Sequence, residues 1–190
     1  MISTMPERPE RRAAEAAGSA SISIRVAGPF DLGRISRLHR ACFAEGWSRA
    51  DVAHLLALPG SFGLVARLAQ GGFPLLDNLR GAGFALCRVV RDECELLSIG
   101  VVPACRRHGV ARSLLVSAME RCKLAGAEKM FLEVAVDNSE AQALYIAHGF
   151  QTVGTRPNYY QRADGSRAHA YTMQGGLLPG GHGEASPGVA

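Results

Sequence analysis

The stretch Val101-Val102-Pro103-Ala104-Cys105-Arg106-Arg107-His108-Gly109-Val110-Ala111-Arg112 crowds Arg106, Arg107, His108 and Arg112 where an apolar strand segment gives way to a helix-forming one. Cations at a helix N-terminus oppose the macrodipole, so such a cluster makes sense where an anion sits. Unbonded backbone N–H groups, the dipole and the arginines together would form a pyrophosphate cradle. Gly109 and the small Ala111 let backbone come close to phosphate. The alternative is a solvated basic helix start with an ordinary glycine. A second chemical group is Glu133, set between Leu132 and Val134 in an apolar segment. An unpaired buried carboxylate is costly, so Glu133 should line a cleft or find a partner.

The elements that must carry these residues are legible in the periodicity. SISIRVA (21–27) alternates as a strand, and Leu32, Ile35, Leu38, Cys42 and Phe43 then recur at helical spacing. Ser48 caps a short helix that Pro59-Gly60 ends. FGLVARLA, GFALCRVV and CELLSIGVV read as three successive strands, with a long loop from Gln70 to Arg80 between the first two. A long helix is expected from about Arg107 to Gly126, followed by the strand EKMFLEVAV. Asp137 and Glu140 have capping-box spacing, and Ala141, Leu144, Tyr145 and His148 continue that helix until Gly149-Phe150. Strands over about 151–156 and 168–174 flank a turn at Asp164-Gly165. The order β-α-α-β-β-β-α-β-α-β-β predicts an α/β single domain, a mixed sheet with helices on both faces. The folded unit spans 21–176, with a polar tail over 1–20 and a Gly/Pro-rich tail over 177–190, both expected to be disordered.

Charge narrows the ligand class. Between Gly100 and Gly126 five cations face one acid, which supplies the whole net charge of +4, so the rest of the chain is neutral. One cationic spot suits a compact anion better than a duplex, and 6% aromatic residues leave little for base stacking. No nucleic acid partner is expected. No apolar run approaches a membrane span, and the first twenty residues lack a secretory apolar core, so no membrane role and a cytoplasmic location are expected. Cys42, Cys87, Cys94, Cys105 and Cys122 form no CxxC, and His39, His54, His148, His169 and His182 show no ligand spacing. Reduced, mostly buried thiols and no metal are expected. Gly81-Ala82-Gly83 precedes a strand and lacks a third glycine, so it makes no nicotinamide fingerprint.

The R-x-x-G-x-A run Arg106–Ala111, behind a strand ending in V-x-P, resembles the acetyl-CoA-binding motif of the GNAT superfamily of N-acetyltransferases. Leu132-Glu133-Val134, Asn138, Ala143-Leu144-Tyr145, Gly149-Phe150 and Asn158-Tyr159-Tyr160 narrow the likeness to bacterial ribosomal-protein-alanine N-acetyltransferases of the RimI type. The similarity covers about Ile24 to Met173, with Trp47-Ser48 matching a substrate-side loop. Ala111 stands where many members have Gly, which the pattern allows.

The resemblance implies the acyl-CoA N-acyltransferase fold and acetyl-CoA as co-substrate. It implies that Arg106, Arg107, His108, Gly109, Val110, Ala111 and Arg112 hold the pyrophosphate. Backbone at Ile99, Gly100 and Val101 would bond the pantetheine arm as an added strand would. Asn138 would contact the coenzyme, or would only cap a turn. Glu133 would take the amine proton, directly or through water, and Tyr145 would protonate the departing coenzyme A sulfur; the plainer roles are a strand-end salt bridge and core packing. Trp47, Tyr159 and Tyr160 would wall a peptide entering N-terminus first. The acceptor implied is a protein N-terminal alanine, that of a small-subunit ribosomal protein. An α-amine, with a pKa of about 7.7–8.0, is easier to deprotonate than a lysine near 10.4, which favours that acceptor. Transfer to lysine or a small amine, and a catalytically silent acetyl-CoA-binding module, stay open.

Overall fold

Alternating apolar positions sort the strand side chains onto two faces, and each face is closed by its own pair of helices. The structure, a computed structural model, describes residues 21–69, 81–161 and 165–177. The elements are β1 (Ser21–Val26), α1 (Leu32–Cys42), α2 (Arg49–Ala57), β2 (Ser61–Ala69), β3 (Gly83–Val90), β4 (Glu93–Val101), α3 (Val110–Leu124), β5 (Lys129–Ala135), α4 (Ser139–Ile146), β6 (Gln151–Gln161) and β7 (Arg167–Gly176). Their order is the one the periodicity predicts. The expected tails, the Gln70–Arg80 loop, Asp164 and His182 lie outside the described residues, apart from Leu177.

The sheet runs β1-β2-β3-β4-β5-β7-β6, antiparallel except between β4 and β5. On one face Leu64, Ala85 and Leu96 meet Leu114, Leu115 and Ala118 of α3 and Tyr145 of α4. On the other, Val65, Phe84 and Leu86 meet Ile35 and Leu38 of α1 and Val52 of α2. Burying side chains of this size stabilises by about 1.5–3 kcal/mol each. The start of α1 is tied to β1 by the buried Asp31, whose carboxylate takes both Arg25 guanidinium nitrogens at 2.6 Å and Arg34 at 2.7 Å. The Arg25 hydrogen bonds hold its pKa well below the usual carboxylate range, against the opposing effect of burial.

One irregularity positions the site. β4 pairs with β3 along its whole length, but its pairing with β5 stops at Glu95–Phe131. The β3–β4 ladder slips there: Cys87 faces Leu96 and Leu86 faces Ser98, so Leu97 is an extra residue. A bulge bends its strand and increases local twist. Here the extra residue leaves Leu97 on the opposite core from Leu96 and brings Ile99, not Ser98, back to the Leu96 side, and β4 leaves β5 from that point.

Four expectations change in detail. α3 starts at Val110 and not near Arg107, because Arg107 and Gly109 have φ of +65° and +80°, which a right-handed helix cannot include. The N-cap of α4 is Asn138 and not Asp137, its side chain accepting from the Ala141 N–H at 3.2 Å. β6 continues past 156 to Gln161, carried by a bulge between Arg156 and Tyr160. Leu177 follows β7 into the core, 6% exposed, and its N–H donates to the Glu128 carbonyl.

Candidate active site

A cleft of about 950 Å³ fills the fork where β4 and β5 part. Ile99, Gly100 and Val101 line its β4 side, with their outer backbone edge free of any strand partner beyond Glu95 among the described residues. Gly100 does more than supply backbone. A Cβ there would stand 2.8 Å from Phe84 and 3.0 Å from the Cys42 sulfur, so this stretch of β4 depends on glycine for packing as well.

Arg106, Arg107, Gly109, Val110, Ala111 and Arg112 line one end of the cleft. The first main-chain bond of α3 runs from the Ser113 N–H to the Gly109 carbonyl, which leaves the amides of Val110, Ala111 and Arg112 without helical partners. A Cβ on Gly109 would meet only Ile22, at 3.8 Å, so glycine is needed there for its positive φ and not for space. Arg106 is anchored through its Nε to the Val101 carbonyl at 3.2 Å. Arg107 reaches the exposed Glu140 at 3.7 Å, a pair too solvated to resist an incoming anion. These groups fit a diphosphate. His108 is the exception: it does not line the cleft, and its Nδ1 lies 2.7 Å from the Arg106 carbonyl. Asn138 lines the cleft while its side chain caps α4, so the two expected roles do not exclude one another.

Glu133 lies deeper, on β5. Its side chain is 13% exposed and is partnered, as its apolar surroundings demand: Arg156 of β6 approaches one carboxylate oxygen at 3.2 Å, and the Tyr159 hydroxyl stands 3.4 Å from the other. Tyr160 donates to the Glu133 main-chain carbonyl at 3.0 Å. The two tyrosine rings pack edge to face with centroids 4.9 Å apart, and Arg156 covers the Tyr159 ring. Burial, reinforced by the Glu133 charge, raises the Tyr159 pKa; burial, with smaller contributions from Tyr159 and Glu133, pushes Tyr160 up to about 12. Both phenols therefore stay protonated near neutrality.

Tyr145 lies on α4, 5% exposed, with its ring 5.8 Å from Phe150, yet it also lines the cleft. The packing and chemical readings of this residue thus coincide. Burial, with a smaller contribution from Tyr160, raises its pKa strongly, so its proton is retained until a strong base forms beside it. Trp47 lines the cleft as well and stacks on His39 at 4.4 Å between centroids. Its main-chain N–H donates to His39 Nδ1 at 3.1 Å, and its main-chain carbonyl accepts from the Ser36 hydroxyl. Sequence spacing gives His39 no ligand role and does not point to Arg156. A helix residue eight positions before Trp47 and a β6 residue brought in by strand register leave no local spacing to read.

The cleft thus joins a diphosphate cradle to a partnered carboxylate and a protonated phenol. Residues 32–150 match the model of the acetyltransferase (GNAT) family. The chain belongs to that family. Among GNAT relatives, ribosomal protein bS18-alanine N-acetyltransferase of Haemophilus ducreyi is 32% identical over 143 residues, 75% of this chain and 92% of that protein. The Haemophilus influenzae protein of the same name is 34% identical over 73% of this chain and 95% of its own length. The crystal structure of the Escherichia coli ribosomal-protein-S18-alanine N-acetyltransferase superposes with a TM-score of 0.71 at 29% identity, covering 88% of this chain and 99% of that one. A putative phosphinothricin N-acetyltransferase, at 21% identity and TM-score 0.70, shares the GNAT fold, so fold alone does not choose the acceptor. As a GNAT protein the chain is an acetyl-CoA-dependent acetyltransferase. Among its described residues no helix is long and apolar enough to cross a membrane.

Proposed function

We propose that this protein moves acetyl from acetyl-CoA to the α-amine of a protein N-terminus that begins with alanine, that of ribosomal protein bS18. The observation that carries the reading is one cleft holding the cationic cradle, Tyr145, Glu133 and the Tyr159–Tyr160 pair in connected space. The named acceptor comes from relatives alike over almost their whole length.

The cradle at 106–112 holds the diphosphate, and the free edge of β4 takes the pantetheine amides as an added strand would, which brings the thioester to the fork. Glu133 accepts a proton from the incoming ammonium or from the amine as it attacks, directly or through one water. At neutral pH an α-amine with a pKa of about 7.7–8.0 already has a neutral fraction, so this carboxylate need not be strongly basic. The amine nitrogen bonds to the thioester carbon; the carbon–sulfur bond then breaks, and Tyr145 gives its proton to the sulfur. Burial keeps that proton on Tyr145 until the thiolate forms. Trp47, Tyr159 and Tyr160 confine the peptide so that its terminus leads.

Intact-mass analysis of two peptides incubated with the protein and acetyl-CoA tests the assignment. One has a free N-terminal alanine; the other has that terminus blocked and an internal lysine. A single acetyl gained by the free-alanine peptide alone supports terminal transfer. Acetylation of the blocked peptide moves the acceptor to lysine, and no gain on either, with coenzyme bound, leaves a silent module.

A further inference from the structure

Cys87 near the end of β3, Cys94 near the start of β4 and Cys122 in the last turn of α3 play no part in the cleft. Cys87 pairs with Leu96 and Cys94 with Val89, so the two thiols are diagonal neighbours across one ladder. Cys122 reaches the same core one turn beyond Ala118. The three Sγ atoms lie within 4.8 Å of one another, and the residues are 1%, 1% and 0% exposed. Chain spacing hid this group because each cysteine comes from a different element.

The geometry suits a single shared centre. Bonds to sulfur of about 2.3 Å place three sulfurs around one pyramidal atom at about 3.5 Å from each other, so a contraction of at most about 1.3 Å closes the site. Among the described residues no His, Asp or Glu ligand atom joins the three sulfurs; Met130, opposite Cys94 across the β4–β5 ladder, adds only an uncharged thioether. Charge then selects the class of ligand. Three thiolates around a monovalent or divalent ion leave net negative charge in an apolar core, which is costly. A trivalent thiophilic centre cancels it.

We propose that Cys87, Cys94 and Cys122 form a trithiol site for a trivalent thiophilic metalloid, with arsenite as the probe. Arsenous acid exchanges its three hydroxyls: three As–O bonds break, three As–S bonds form, and the thiol protons leave as three waters. Arsenic stays trivalent, so no oxidant is needed. Entry lies beside a depression of about 450 Å³ lined by Phe62, Val89, Arg121 and Leu124, in which Phe62 is the register partner of Cys87 and Arg121 adjoins Cys122. Occupancy clamps the end of α3 to the β3–β4 hairpin, independently of the acceptor of the transferase.

Native mass spectrometry of the full chain, reduced with a phosphine and titrated with arsenite, reads both stoichiometry and protons displaced. One arsenic with three protons lost is expected, unchanged in the Cys42→Ser/Cys105→Ser double variant and weakened more than about tenfold in Cys122→Ala. The wild-type Tm should rise with arsenite, since a ligand of the folded state stabilises it. An adduct missing only two protons, undiminished binding by Cys122→Ala, or no adduct at saturating arsenite overturns the site. A falling Tm assigns capture to the unfolded chain, and preferential uptake of zinc or cadmium removes the trivalent class; either outcome also overturns it.

Discussion

Glu133 sits where an isolated carboxylate would be expelled, and Arg156 and Tyr159 make its burial tolerable while leaving it on the cleft. Glu133→Gln keeps the main-chain bond from Tyr160 and the shape of the site. It should lower kcat/KM about 100-fold, while calorimetry finds acetyl-CoA affinity nearly unchanged. A loss of affinity as large as the loss of rate removes the base assignment. Tyr145→Phe keeps the contact with Phe150 and removes only the hydroxyl, so kcat should fall about 100-fold with Tm little altered. An unchanged saturating rate across pH takes Tyr145 out of the reaction. At this scale the sequence was informative wherever chemistry and chain neighbourhood coincide, as in Arg106–Arg112 or Leu132-Glu133-Val134. It was silent on Arg156, whose place over Glu133 exists only after β6 pairs with β7, which in turn pairs with β5.

Two short backbone irregularities aim whole elements at the cleft. At the start of α3 the left-handed Gly109 ends the loop and points three free amides along the helix axis. Gly109→Val has room for its Cβ but forces a β-branched residue into positive φ, at about 1–2 kcal/mol. Acetyl-CoA affinity should fall by about tenfold or more as the loop relaxes, measured by calorimetry on a protein that still folds. In β6, Arg156 pairs with Ala170 and Tyr160 with Ala168, so three residues of β6 bulge against one of β7. Asn158, at φ +54°, forms the bend, and its N–H donates to His169 Nδ1 at 3.0 Å. That bend brings Tyr159 over the Glu133 carboxylate. Asn158→Val should raise the peptide KM several-fold and leave acetyl-CoA affinity unchanged, whereas Asn158→Gly, which accepts the same φ, should behave nearly as wild type; steady-state kinetics with each substrate varied separates the two. Element order and type were readable from periodicity because each strand or helix has its own apolar pattern. The Leu97 and Asn158 bulges were not, because a register slip leaves composition and alternation on the strand almost intact.

For the whole molecule, the helix pair α1–α2 does two jobs: it closes one face of the sheet and it lines one end of the cleft through His39 and Trp47. His39 is 4% exposed and accepts the Trp47 N–H on Nδ1, an arrangement that requires a neutral ring with its proton on Nε2. Burial lowers its pKa from 6.5 to about 4. An unfolded chain therefore binds a proton at His39 below pH 6.5 that the folded chain refuses until about pH 4. The stabilisation is complete above 6.5 and is lost as pH falls from 6.5 to about 4. Asp31 has the same sign lower down: its depressed pKa favours the fold above the ordinary carboxylate value, and that contribution disappears only in stronger acid. The two ranges separate the residues. Tm should drop between pH 6.5 and 4 in the wild type and should be flatter over that range in His39→Gln, whose amide oxygen can take the Trp47 N–H without titrating. Because Trp47 lines the cleft, peptide KM should respond to this ring only as pH nears about 4, where the folded chain takes the proton, while acetyl-CoA affinity, held at the opposite end by Arg106 and the first turn of α3, stays constant. A wild-type Tm that is level from pH 6.5 to 4, or a His39→Gln variant with an equal drop, would show that the ring is not the group that ties the stability of the Trp47 end of the cleft to pH.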